Sequence, residues 1–299
     1  PVHNEEENLE ELERRLGESL RGWEHELIFV DDGSSDRSFA VLQQIHARNA
    51  RVKIIRFRRN FGKTSAISAG FKMAAGEIVA TLDADLQDDP QELHRLVDAV
   101  RADVDLAIGW RRKRVDPLSK TIPSMLFNAV VARCSGLPIH DINCGLKVYR
   151  RQVVQELKLY GDLHRFTPVL AHWRGYRVAE VPVMHHPRLR GRSKYGIRRL
   201  LHGLFDLGQV LFLVRYMRNP LRFFGIPGLL LSFAGFCVGV YLTAIWSSGD
   251  PIGRRPLLIL CVLLIVAGLQ LVSTGLIGEM LRHTVYKPED DYSIERILW

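Results

Sequence analysis

The sequence predicts an α/β fold: a mainly parallel sheet with flanking helices, followed by an interfacial amphipathic helix and two transmembrane helices. Three observations predict it. Short apolar runs alternate with helical patterns over residues 1–110, as in sheets built by right-handed crossovers. Acidic or polar clusters close three of those runs, at the carboxyl edge where open parallel sheets bind ligands. Two charge-free apolar stretches lie near the C-terminus, each of roughly 20 residues or more and so long enough to cross a hydrocarbon core.

In chain order, Pro1-Val2-His3-Asn4 reads as the end of a first strand. Asn4 is expected to cap a helix from about Glu5 to Leu20, with Glu5 to Glu7 favouring its N-terminus. Leu27 to Val30 is a second strand, ending at Asp31-Asp32-Gly33-Ser34-Ser35-Asp36. Gly33 permits a tight turn there, and Ser35 or Asp36 caps a helix from Arg37 to Ala47. Val52 to Ile55 is a third strand, and Phe61-Gly62-Lys63 leads into a small-residue helix from Thr64 to Ala75. Ile78 to Leu82 and Asp105 to Ile108 are further strands, and Pro90-Gln91-Glu92 opens a helix between them. Leu118 to Ser135 is amphipathic and helical, and Gly175 to Val183 reads as a returning strand.

The chemistry centres on Asp83-Ala84-Asp85-Leu86-Gln87, on the turn after the strand that ends at Leu82. Two carboxylates one residue apart, plus an amide two residues on, offer only oxygen ligands. That set suits Mg²⁺ or Mn²⁺. An acidic, solvated turn is the alternative, and so short a spacing does not choose between them. No G-x-G-x-x-G follows the first strand and no G-x-x-x-x-G-K-[ST] occurs, which argues against a dinucleotide enzyme and a P-loop NTPase. A net charge of +8 favours an anionic partner: nucleic acid, lipid headgroup or phosphorylated substrate. Cys134, Cys144, Cys237 and Cys261 form no C-x-x-C pair, so neither a disulfide framework nor a zinc site is expected.

The segments P-V-H-N-E-E-E-N-L, V-D-D-G-S-S-D, R-N-F-G-K-T-S-A and L-D-A-D-L-Q-D-D-P, in that order, resemble family 2 glycosyltransferases. More narrowly they are similar to the polyprenyl-phosphate group, which includes dolichyl-phosphate mannose synthase and bacterial undecaprenyl-phosphate sugar transferases. The resemblance implies a GT-A-type fold and a nucleoside-diphosphate sugar, UDP- or GDP-linked. By it, Pro1, His3, Glu5 and Asp31 line the nucleoside pocket, with His3 where most members carry Tyr. Asp83 and Ala84 contact ribose or phosphate, and Asp85 and Gln87, beside Asp83, hold the metal. Lys63 approaches the donor phosphates. Asp32 points to the other side of its strand end, where bracing the turn with Ser34 or Ser35 is its structural role. Arg111 lies near the donor and acceptor phosphates. In His140 to Lys147, Asp141 is the candidate carboxylate beside the reaction centre, or else a turn brace. The pattern R-x-x-G-x-S-K is matched by Arg188, Gly191, Ser193 and Lys194. Arg188 and Lys194 are expected to grip a lipid phosphate, and the wider cationic patch suits acidic lipids.

Leu200, Leu201, Leu204, Leu207 and Leu211 recur at helical spacing among arginines, as in a helix lying in the interface plane. Phe223 to Trp246 and Leu257 to Gly278 then read as membrane spans, joined by a short hairpin with Arg254 and Arg255. The larger cationic set before Phe223 puts both termini on the cytoplasmic side. The expected organisation is a GT-A catalytic domain over residues 1–196, a juxtamembrane helix over 197–222, a two-helix hairpin over 223–281 and a tail over 282–299. The expected function is inverting transfer of a single sugar to a polyprenyl phosphate at the inner membrane. Partners are the nucleotide sugar, the polyprenyl phosphate and the bilayer, with no nucleic acid, and a homo-oligomer forms through the membrane helices. A processive polysaccharide synthase and a nucleotide-binding membrane scaffold are the competing readings. His172-Trp173-Arg174 does not match the Q-x-x-R-W of the former, and the intact acidic cluster argues against the latter.

Overall fold

Leu106, Ala107 and Ile108 are wholly buried and in series, which marks their strand as the centre of a sheet covered on both faces. The computed structural model describes residues 1–112, 118–184, 208, 219–249, 251 and 256–285. The chain divides into two compact units, Pro1–Leu207 and Gly208–Trp299.

The first unit opens with Val2, whose N–H donates to Val30 O and which forms a parallel bridge to Asp31. Helix α1 spans Leu9–Ser19. It starts later than the sequence suggests. Asn4 holds φ +54 and its side chain accepts from Ser35 N, so it ties two loops together instead of capping the helix. Strand β1 (Leu27–Asp31) pairs in parallel with β2 (Val52–Arg56), and α2 (Ser38–Arg48) connects them. Helix α3 (Lys63–Met73) then leads to β3 (Ile78–Thr81). A single 3₁₀ turn, Pro90–Glu92, is capped by Asp89 and precedes α4 (Leu93–Ala102). Strand β4 (Leu106–Arg111) extends through Trp110 and Arg111, so the arginine sits on the strand end and not beyond it.

Helix α5 (Leu118–Ser135) precedes β5 (Lys147–Arg150), followed by α6 (Arg151–Glu156), a 3₁₀ turn at Leu163–Phe166, α7 (Thr167–Trp173) and β6 (Val178–Val183). The second sheet has the order β3-β5-β4-β6. β4 and β6 are parallel, but β5 runs antiparallel to both neighbours. The sheet is therefore mixed where the strand–helix alternation predicts a mainly parallel one. β5 escapes that reading because its four residues, Lys-Val-Tyr-Arg, lie between a loop and a helix and carry charges at both ends.

In the second unit, α8 (Pro220–Ser247) and α9 (Pro256–Val285) are both long and apolar enough to cross a membrane. At 1.5 Å rise per residue, 28 and 30 residues give about 42 and 45 Å, against a hydrocarbon core of about 30 Å. Side chains such as Phe233 and Val266 are exposed outward. Where the helices meet, small residues let backbones approach. A Cβ on Gly228 would lie 2.7 Å from Gly268 O, and one on Gly235 would lie 3.0 Å from Ile265 N. Membrane helices associate through such small-residue contacts. Arg188, Lys194, most of residues 197–222, Arg254, Arg255 and residues 286–299 lie outside the described residues, and the first residues of the expected tail, 282–285, continue α9.

Candidate active site

Every group named here belongs to the first unit. Strand β1 delivers Asp31 and Asp32 to a turn that only glycine can make. Gly33 holds φ +65, and a Cβ there would collide with the Asn60 backbone nitrogen at 2.6 Å. The turn brace expected of Asp32 falls to Asp31. Asp31 is wholly buried and accepts from Ser34 N at 3.0 Å, so it braces the turn. Asp32 instead accepts from Phe61 N and Gly62 N at 2.7 and 2.9 Å, fixing the loop before α3. The alternation is intact, but which side faces the turn depends on a partner loop about 29 residues away. His3 stands beside this turn with its Nδ1 3.0 Å from Asp32 O. Glu5 accepts from the Asn8 amide at 2.7 Å, and Pro1 is half-buried.

By fixing that loop, Asp32 sets the start of α3, whose first residue is Lys63. The Lys63 ammonium lies 2.6 Å from Asp83 Oδ1. Burial works against an Asp83 carboxylate, but Lys63 overrides it and holds the pKa at about 2. Behind Asp83, Ala84 and Leu86 are buried, and Leu86 takes φ +60, a left-handed conformation uncommon for leucine. That reversal turns the chain sharply between Asp85 and Gln87, whose N–H faces Asp85 Oδ1 at 3.3 Å.

Asp88 directly follows Gln87, and the family resemblance assigns it no role. It is buried. Burial, then the charges of Asp83 and Asp85, push its pKa up to about 7 against an opposing Arg111. A Cβ on Gly145 would lie 2.7 Å from Asp83 Oδ2 and 2.9 Å from Asp88 Oδ2, so the two carboxylates converge on the space that glycine leaves. Among the described residues no three His, Cys, Asp or Glu side chains are gathered as a ready set of metal ligands. The donor chemistry nevertheless fits a hard divalent ion: Asp83, Asp85, Gln87 and Asp88 offer only oxygens on one short turn, with charge in excess.

Across Asp88 lies a second ion pair. Arg111 Nε and Nη2 donate to the two oxygens of Asp141 at 2.6 and 2.9 Å, and Asp141 is 1% exposed. Burial disfavours the guanidinium charge, and Asp141 more than restores it. The sequence names both residues, 30 positions apart, but not that they bind each other. Beneath the site runs a chain of contacts that no motif in the sequence marks. Thr64 Oγ1 lies 2.7 Å from His164 Nδ1, and the buried Lys147 ammonium reaches His164 O at 3.2 Å and Thr167 Oγ1 at 3.3 Å. Burial, then Lys63, lowers Lys147 to about 8; burial, then Lys63 and Lys147, holds His164 at about 2. The one local signal is a lysine that opens a short strand and is followed by Val148 and Tyr149.

Residues 1–158 match the model of the family described as Glycosyl transferase family 2. The chain belongs to that family. Its polyprenyl-phosphate branch is represented by close relatives. The dodecaprenyl-phosphate galacturonate synthase of Rhizobium johnstonii is 37% identical over 297 residues, 97% of this chain and 88% of the relative. The undecaprenyl-phosphate 4-deoxy-4-formamido-L-arabinose transferase of Pseudomonas paraeruginosa is 35% identical over 310 residues, covering 100% of this chain and 88% of the relative. A solved glucosyl-3-phosphoglycerate synthase from Mycobacterium tuberculosis, in complex with Mn²⁺, UDP-glucose and glycerol 3-phosphate, matches with a TM-score of 0.53. It is 18% identical and covers 73% of this chain and 77% of that one. That likeness is one of fold, and the fold of this glycosyltransferase is GT-A.

Proposed function

We propose that this glycosyltransferase moves one sugar, with inversion, from a nucleoside-diphosphate sugar to a polyprenyl phosphate. The reaction takes place at the cytoplasmic face of a bacterial-type inner membrane. The observation that carries the reading is Asp88, buried where Lys63, paired with Asp83, and Arg111, paired with Asp141, both act on it. Two cations thus stand on either side of one carboxylate cluster, an arrangement suited to phosphates on both sides of a transferred sugar. Relatives named for polyprenyl-phosphate transfer share 88% of their own length with this chain, and two membrane-length helices follow the catalytic unit.

In the reaction, an acceptor phosphate oxygen bonds to the anomeric carbon as the bond to the nucleoside diphosphate breaks. The diphosphate leaves with the electron pair. A phosphate monoester has a second pKa of about 6, so the acceptor is largely ionised near neutrality and needs little help from a base. Positioning and charge stabilisation carry the rate. Pro1, His3, Glu5, Asp31 and Ala84 form the nucleoside side of the site. Lys63 exchanges Asp83 for donor phosphate oxygens. Arg111, oriented by Asp141, keeps further N–H groups for phosphate. Arg188 and Lys194 hold the lipid phosphate. Asp83, Asp85 and Gln87 would hold Mg²⁺ or Mn²⁺, which supplies charge neutralisation of the leaving diphosphate.

The test is nucleotide release from UDP- and GDP-sugars, UDP-galacturonate included, with Mn²⁺ and with or without undecaprenyl phosphate. Release that requires the lipid is expected, and lipid-independent release would overturn the acceptor. Asp85→Ala should abolish transfer with an unchanged melting temperature; full activity of that variant in EDTA would sink the metal assignment. Lys194→Ala should weaken lipid dependence roughly ten- to a hundredfold, the value of one charge-assisted contact, and leave donor affinity unchanged. A tenfold loss of donor affinity instead would assign this loop to the donor.

A further inference from the structure

A single carboxylate on β6 fixes the loop that carries Asp141. Glu180 Oε1 accepts from two consecutive backbone amides, His140 N at 2.7 Å and Asp141 N at 2.8 Å, and Oε2 lies 2.8 Å from His140 Nδ1. Its side chain is 9% exposed, and of the three bonds the one to Asp141 N is the part-buried one, while the His140 side chain stands 66% exposed. The His140 ring, held at one edge by Glu180, stacks on Trp110 with centroids 4.4 Å apart and planes 17° off parallel. Trp110 is the residue before Arg111 on β4, and β4 and β6 are hydrogen-bonded in register, Ile108 opposite Glu180 and Arg111 opposite Val183.

The contacts therefore close a triangle. β4 carries Arg111, β6 carries Glu180, and the loop of His140 and Asp141 is bound to both. Each end of the Arg111–Asp141 bridge is referenced to one strand ladder, which is the requirement for holding a charged pair to fractions of an ångström. Without Glu180, two adjacent amides lose their acceptor, and the Asn128 amide on His140 O and the Arg111 pair must hold the segment without it.

We infer that Glu180 is a positioning residue for sugar transfer, acting through Asp141 to aim Arg111. This rests on the reading that Arg111 and Asp141 serve the reaction centre. A Glu180→Gln side chain keeps an oxygen for both amides, whereas Glu180→Ala keeps nothing. The experiment measures transfer to undecaprenyl phosphate, from the UDP- or GDP-sugar that gives lipid-dependent nucleotide release, by the full chain in detergent, per folded molecule. It compares Glu180→Ala, Glu180→Gln, Asp141→Asn and the double variant Glu180→Ala/Asp141→Asn. Glu180→Ala should lower kcat about a hundredfold, the scale of an ångström-sized misplacement, with donor KM changed less than about threefold. Glu180→Gln should restore most of it. In the Asp141→Asn background, Glu180→Ala should add little.

A Glu180→Ala protein with a lowered melting temperature but wild-type kcat per folded molecule would reduce Glu180 to a loop brace and overturn the inference. So would a full hundredfold loss on top of Asp141→Asn. Wild-type activity of Asp141→Asn alone would overturn the reaction-centre reading too. That outcome differs from failure of the inference alone, in which Asp141→Asn is impaired and Glu180→Ala is not.

Discussion

Glycine makes room in both units of this chain, but for different things. At Gly145 the missing side chain admits two carboxylates, Asp83 and Asp88. At Gly228, Gly235 and Gly268 it admits the backbone of the partner helix. The first arrangement buries Asp88 beside like charges, and burial first, then those charges, raises it to about 7. The second gains van der Waals contact between helices whose outer faces meet no water-driven cost in lipid. The same residue type thus marks chemistry where the surroundings are polar and packing where they are apolar. Distinguishing the two requires the neighbour and not the glycine.

The comparison is broken most severely at the first site. Gly145→Ala places a methyl group where Asp83 and Asp88 converge, and transfer should fall about a hundredfold while the protein still melts cooperatively. Activity within threefold of wild type would mean that the carboxylates do not need that space. In the membrane hairpin the balance should reverse. Gly268→Ala puts a methyl group against Ser232 Oγ and Gly228 O, so a loss of about 1–3 kcal/mol in stability is expected from overpacking. Transfer per folded molecule should stay within a few-fold. Thermal unfolding in detergent beside specific activity separates the two results, and a silent melting temperature would show that the helices part without cost.

The effect that is smallest near neutral pH concerns His164, half-buried beneath the polar site. His164 stays neutral in the fold because burial, Lys63 and Lys147 hold its pKa at about 2, against 6.5 in an open chain. Below about pH 6.5 the unfolded chain takes a proton that the folded one refuses. Stability therefore falls as pH falls, by up to about 1.4 kcal/mol per pH unit from this group. His164→Gln should flatten the melting-temperature profile between about pH 6.5 and 4.5. An unchanged slope would remove His164 as its cause.

Much of this was legible in the chain itself. Apolar runs set β1, β2, β3 and β4, and length with absence of charge set the two membrane helices, because these signals are local. The D-A-D-L-Q turn and the segments around Asp31 and Lys63 carried the family, which a match over residues 1–158 bears out. Asp141 and Arg111 were visible as residues but not as partners.

What remained hidden depends on pairing across sequence distance. The antiparallel β5, the hold of Asp32 on the loop before α3, the start of α1 and the bond from Glu180 to Asp141 each involve a partner absent from their own segment. Sequence by itself determined the class of each segment and the donor atoms it carries, since periodicity and side-chain chemistry act within a few residues. Only the tertiary structure decided which carboxylate meets which cation, because in a buried site that choice follows from burial and approach distances that no short stretch of chain contains.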